Sequence, residues 1–193
     1  MDFFYEHGSQ FTTRSFDTML ERAGARVVER GHGYDGEVVW AVVGLGAGAS
    51  PEAVELHARE AASFRAITSG AIARIGAQLA ELAASKAHVA IWGGTGKSAA
   101  FMVRYDVDAE RFPLVVDSDA EKVGTFVPGT GQRIEDAAVL DGASIDVVIV
   151  PPQWRARDIV VEMRRRGVAW GRVLIEHDGA LVDFEKDAHP YAR

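Results

Sequence analysis

His88-Val-Ala-Ile-Trp92, running into Gly93-Gly94-Thr95-Gly96-Lys97-Ser98-Ala99, is the stretch that decides the fold. An apolar strand that turns through glycines into a helix is the opening unit of a doubly wound α/β domain. The chain repeats the theme. Apolar runs at Pro113–Asp117, Ile145–Val150 and Arg172–Glu176 alternate with helical stretches at Lys97–Tyr105, around Glu135–Leu140 and at Trp154–Arg166. Strands that are apolar without a break are buried on both faces, which is the mark of a parallel sheet between helices. Residues 87–193 therefore read as a Rossmann-like C-terminal domain.

The preceding residues are organised differently. Phe16, Met19, Leu20 and Ala23 recur at helical spacing within Arg14–Ala23, and Gly24 ends that helix. The extended runs Arg26–Glu29 and Glu37–Val43 flank Gly31-His32-Gly33-Tyr34-Asp35-Gly36, giving a hairpin with a long loop. A helix and a hairpin bury little core alone, so residues 1–43 read as the end of a larger domain. Residues 44–86 form a Gly-rich linker and an Ala-rich helical spacer. Its stripe includes Val54, Phe64, Ile67, Ile72, Ile75, Leu79 and Leu82, with a bend allowed near Ser69-Gly70. That helix is expected to be a spacer and a dimer surface.

Composition narrows the function. The chain of 193 residues is 48% hydrophobic and 25% charged, the balance of a globular protein, with a net charge of −7. The acidic balance disfavours nucleic acid, which demands clustered Lys and Arg. Cysteine is absent, which removes thiolate catalysis and sulfur-bound zinc, and the six histidines show no metal-ligand spacing. Neither a membrane span nor a basic-then-apolar leader is evident, so a cytoplasmic protein acting on a small molecule is expected.

Gly94-Thr95-Gly96-Lys97-Ser98-Ala99 fits the G-x-G-x-x-A dinucleotide pattern, and Asp117 follows 23 residues after Gly94, where a ribose-binding acid belongs. Gly93, Gly94, Gly96, Lys97 and Ser98 would bring backbone N–H groups and a helix terminus to a phosphate. The same turn is also needed by an empty doubly wound domain, and spacing alone leaves both readings open. It is not a P-loop, because Ile91 stands where that motif requires glycine. Trp154 and Arg155, after Pro151-Pro152, sit where a base can stack or a phosphate can be held, although a structural tryptophan fits as well. The Arg164-Arg165-Arg166 run reads as a solvated helix end. Gly44-Leu45-Gly46-Ala47-Gly48 mimics an S-adenosylmethionine loop, but Val42 occupies the position of its acid, so it reads as linker. Glu6-His7 contains the side chain best suited to general-base work near neutral pH, although a terminal histidine near aromatics is more often structural.

These segments together resemble the C-terminal part of the S-adenosylmethionine-dependent C-methyltransferases of deoxysugar biosynthesis. Ala90–Lys97 resembles their glycine-lysine loop. Val115–Thr130, with Asp117, Lys122, Pro128, Gly129 and Thr130, resembles the strand, Asp-x-x-x-Lys turn and Pro-Gly-Thr segment that follow. Phe3–Val43 resembles the last helix and closing hairpin of the methyltransferase domain. The resemblance implies that His7 and Glu6 descend from the general-base pair, which removes a proton next to a carbonyl so that the carbanion can attack the methyl sulfonium. It implies a nucleotide-sugar or similar substrate held partly by the C-terminal domain. It also implies S-adenosylmethionine as cofactor, bound by a half that this chain lacks and that a partner subunit or preceding domain supplies. A homo-oligomer and no metal are expected. The competing reading is a stand-alone Rossmann-like nucleotide-binding or dimerisation module without catalysis.

Overall fold

The structure, a computed structural model, describes residues 10–45 and 51–192, excluding the side chains of 51–54, 56–58 and 192. His7 and Glu6 lie outside the described residues, as does the side chain of Val54. The described residues fall into two compact units, one ending at Ile67 and one beginning at Thr68.

The first unit holds helix α1 (Thr13–Arg22) and an antiparallel pair, β1 (Ala25–Gly33) and β2 (Val38–Leu45). Thr12 caps α1: its hydroxyl accepts the Ser15 N–H at 3.1 Å, and the Ser15 hydroxyl accepts the Thr12 N–H at 2.8 Å. Such a reciprocal cap satisfies two donors that a helix start leaves unpaired. The hairpin is longer than its sequence suggests. The expected loop Gly31–Gly36 contracts, because Gly31-His32-Gly33 continues β1 opposite Val38–Trp40. Gly31 permits this: a Cβ there would lie 2.4 Å from the Trp40 ring. The chain then turns through Tyr34, Asp35 and Gly36, all at positive φ.

Helix α2 spans Pro51–Ala84 as one 34-residue element without the break allowed at Ser69-Gly70. Its stripe is divided. Ile75, Leu79 and Leu82 are buried, whereas Phe64, Ile67 and Ile72 are exposed.

The second unit is built on a six-stranded sheet of order β5-β4-β3-β6-β7-β8. Its strands are β3 (Val89–Trp92), β4 (Leu114–Asp117), β5 (Ile134–Asp136), β6 (Ser144–Ile149), β7 (Ala169–His177) and β8 (Ala180–Asp183). The first five pair in parallel and β8 runs antiparallel to β7. Helices α3 (Lys97–Arg104) and α4 (Ala156–Arg165) are the crossovers. Period-two alternation sends Ile91, Val115, Val147 and Ile149 to one face with α2 and α3. Ala90, Trp92, Val116 and Val148 go to the other face with α4. Both faces are covered, which accounts for the unbroken apolar strands, and the arrangement is Rossmann-like.

Two elements correct the sequence reading. Residues 135–140 are not a helix: Ile134 is buried as the anchor of the short edge strand β5, and only a 3₁₀ turn follows at Ala137–Leu140. β8 was not expected. It returns on β7 through Asp178 (φ 47°) and Gly179 (φ 69°), a turn whose positive φ angles suit an Asp-Gly pair. Gln78 of α2 clasps β8: its amide donates to Leu181 O at 2.8 Å and its carbonyl accepts the Leu181 N–H at 2.8 Å.

Candidate functional site

Chain order reverses at β3. β4 and β5 lie to one side of it, and β6 and β7 to the other. In open α/β sheets that switch point leaves a crevice at the carboxyl ends of the strands. A cleft of about 510 Å³ occupies it, lined from three segments. Gly93, Thr95, Lys97 and Ser98 follow β3. Asp117, Ser118, Asp119 and Lys122 follow β4. Pro152, Trp154, Arg155 and Ile159 follow β6.

The glycine turn has packing reasons of its own. Gly93 stands at φ 106°, and a Cβ there would meet the Ser98 hydroxyl at 2.5 Å. A Cβ on Gly94 would lie 2.2 Å from the Cδ1 of buried Ile134. Gly96, at φ 55° and ψ −123°, is the N-cap of α3 and provides no side-chain cap. The first turn of α3 therefore meets the cleft with the donors that a helix start leaves without intrahelical partners.

The cleft brings together three cations, Lys97, Lys122 and Arg155, with two carboxylates, Asp117 and Asp119. The Lys97 ammonium lies 4.4 Å from the ring centre of half-exposed Trp154, a cation–π distance. Arg155 faces Asp158 at 3.9 Å. Lys122 Nζ is 3.1 Å from Asp119 Oδ2 and 3.6 Å from Asp117 Oδ2. Burial works against the charge on Lys122, but the Asp119 hydrogen bond and both carboxylate charges outweigh it and hold its pKa above the ordinary lysine value. The Lys122 hydrogen bond, aided by the Glu121 N–H, holds Asp119 below the usual carboxylate range. Both groups are charged at neutral pH. Beneath the Pro-Pro segment, buried Gln153 donates to Glu176 O at 3.0 Å and fixes the loop that carries Trp154 and Arg155.

Of the residues expected from sequence, Gly93, Lys97, Ser98, Asp117, Lys122, Trp154 and Arg155 line this cleft, and Gly94 and Gly96 belong to the same turn. Pro128, Gly129 and Thr130 are not among its lining. They form a turn closed by the Gly131 N–H to Val127 O bond at 3.0 Å, and Gly129 (φ 90°) sits against Val103 of α3. Sequence reasoning did not single out Thr95, Ser118, Asp119, Pro152 or Ile159. Thr95, Ser118, Asp119 and Pro152 stand just beyond strand ends, whereas Ile159 lies within α4. None of the lining residues is a histidine.

A cleft of this make-up, on this sheet, coincides with a family match. The model of the C-methyltransferase C-terminal domain matches residues 52–176. The chain belongs to that family. No curated protein matches the chain. The matched span of this C-methyltransferase C-terminal domain runs from α2 to the end of β7 and includes every residue that lines the cleft. Among the described residues no helix is long and apolar enough to cross a membrane, and no group of His, Cys, Asp and Glu is arranged to hold a metal.

Proposed function

We propose that this C-methyltransferase C-terminal domain binds the phosphate-bearing part of a nucleotide sugar, or of a similar small substrate, in the cleft at the β3/β6 switch point. The observation that carries the reading is the convergence of Lys97, Lys122 and Arg155 on the mouth of α3. The helix start and its amides favour an anion, and the lysines add point charges. Trp154 offers a face on which a base or sugar ring can lie.

S-adenosylmethionine, implied by the family, does not fit the residues described. Its loop follows a parallel strand that leads into a helix, whereas β2, which ends at Leu45, is the second strand of an antiparallel hairpin. Val42 stands in place of the acid that such a loop carries. The donor is therefore assigned to another domain or a partner subunit. His7 and Glu6 keep the role of general base in that assembly, and loss of His7 should lower turnover there by roughly 10²–10⁴-fold.

Calorimetric titration tests the reading. Saturable binding of a nucleotide sugar, with no heat from S-adenosylmethionine, is expected. A ligand that binds only the folded state also raises Tm, so nucleotide sugars should stabilise more than NAD. Saturable binding of S-adenosylmethionine alone would refute the assignment, and a larger effect of NAD would favour the stand-alone dinucleotide module.

A further inference from the structure

Three cations line the cleft, and they are held differently. Lys122 lies between Asp119 and Asp117, at 3.1 and 3.6 Å, and Arg155 faces Asp158 at 3.9 Å. Lys97 lies over a neutral ring, its ammonium 4.4 Å from the centre of Trp154. At that height the ammonium fills the layer in which a stacked ligand ring would lie, so the face that Lys97 covers cannot hold both. The tryptophan is the fixed partner. It stands on the turn Gln153–Arg155, which is tied by the Gln153 amide to Glu176 O at 3.0 Å and by the Arg155 N–H to Pro152 O at 2.8 Å. Lys97 is the movable partner, because its ammonium ends a flexible four-carbon stem. It is also the first residue of α3, beside the helix start that favours an anion.

We propose that Lys97 is a specificity-determining latch on Trp154: it covers the ring until an anion at the start of α3 draws it off, so that the cleft favours planar rings that arrive with an anionic group over uncharged ones. The proposal rests on the cleft holding the phosphate-bearing part of a ligand, and it says how the two parts of that ligand depend on each other. A cation over an exposed aromatic ring is worth a factor of about two to five in an equilibrium. An uncharged ring must displace the ammonium and bears that factor in full. An anion offers the ammonium a full opposite charge in place of a ring quadrupole, so once it is bound the Trp154 face is already open. Linkage makes the effect reciprocal: each part improves the binding of the other by the same factor. Uncharged aromatic compounds are thereby disfavoured without any clash built against them.

Fluorine NMR of the full chain labelled with 5-fluorotryptophan tests this, because the chain has four tryptophans and Trp154→Phe identifies the signal of Trp154. Uridine, an uncharged ring, is titrated against that signal with and without saturating inorganic pyrophosphate, whose own binding is followed by calorimetry. Pyrophosphate should shift the Trp154 signal and tighten uridine binding by about two- to fivefold. Lys97→Ala should bind uridine as tightly without pyrophosphate as the unaltered chain does with it, and pyrophosphate should then give no further gain. A lysine that served only the fold or the anion would not, on removal, strengthen the binding of an uncharged ring. Pyrophosphate that binds but leaves uridine affinity unchanged or weaker overturns the inference while leaving the nucleotide-sugar reading intact. That comparison is made on the unaltered chain and does not depend on the folding of any variant. Uridine that fails to reach Trp154 under either condition overturns the inference as well, and the absence of pyrophosphate binding overturns both.

Discussion

Gly94 belongs to a dinucleotide fingerprint, yet its surroundings assign it to the core, and Gly94→Ala separates the two roles. The added methyl would lie 2.2 Å from Ile134 Cδ1, 2.5 Å from Cγ1 and 3.3 Å from Cγ2. Ile134 is fully buried and anchors β5 beside β4, so it has no solvent into which to swing. Overpacking of this kind costs about 1–3 kcal/mol. In a chain of this size that lowers Tm by roughly 2–12 °C. Ile134→Ala alone should cost about 2–5 kcal/mol through the cavity it leaves. The double variant should then cost less than the sum of the two, by about 1–3 kcal/mol, because the inserted methyl no longer meets the isoleucine. Urea denaturation of the four proteins, followed by circular dichroism, measures the coupling. Additivity within about 0.5 kcal/mol would refute the packing role and return Gly94 to the ligand.

Two further outcomes follow from contacts away from the cleft. The Tyr105 hydroxyl donates to Glu176 Oε1 at 3.2 Å, and burial, then the Glu176 charge, push its pKa from 10.0 up to about 12. Because the folded state holds this proton more tightly, the stabilisation is complete below pH 10 and is lost as pH rises from 10 towards 12. Tyr105→Phe should cost about 1 kcal/mol at neutral pH and flatten the alkaline limb of a stability–pH profile. Gln78→Ala removes both bonds of the β8 clasp and should cost about 1–3 kcal/mol. The Leu181 amide should lose hydrogen-exchange protection first, and unchanged protection there would show that another group holds the strand.

The inner strands were readable because each is enclosed by helices on both faces, and burial on both sides leaves an apolar run with no polar interruption. The cleft was readable for a related reason: the glycines, Asp117, Lys122 and Trp154 all stand within a few residues of those strand ends. The edges of the sheet were not readable in the same way. β5 has one buried residue, Ile134, and then Glu135 and Asp136, a three-residue pattern too short to show a period. β8 was signalled by Asp178-Gly179, a hairpin dipeptide outweighed by the expectation of a purely parallel sheet. The Pro128-Gly129-Thr130 turn has the composition of a binding loop, and only its contact with Val103 shows which way it faces. The fingerprint itself misdirects in part, since Gly93 and Gly94 are required by Ser98 and Ile134 whether or not a phosphate is present.

The clasp between Gln78 and Leu181 joins residues 103 positions apart. Ile75, Leu79 and Leu82 on the same helix share a core cluster with Leu174 and Leu181, which are made well after them. A ribosome adding about 5–20 residues per second needs roughly 5–20 s to travel from one partner to the other. For that interval the apolar stripe of the nascent helix lacks the part of its cover that Leu174 and Leu181 provide. The window is long beside helix formation, which takes under about a microsecond. The order of manufacture thus leaves the C-terminal half of α2 incompletely covered for seconds, time in which a holding chaperone can act.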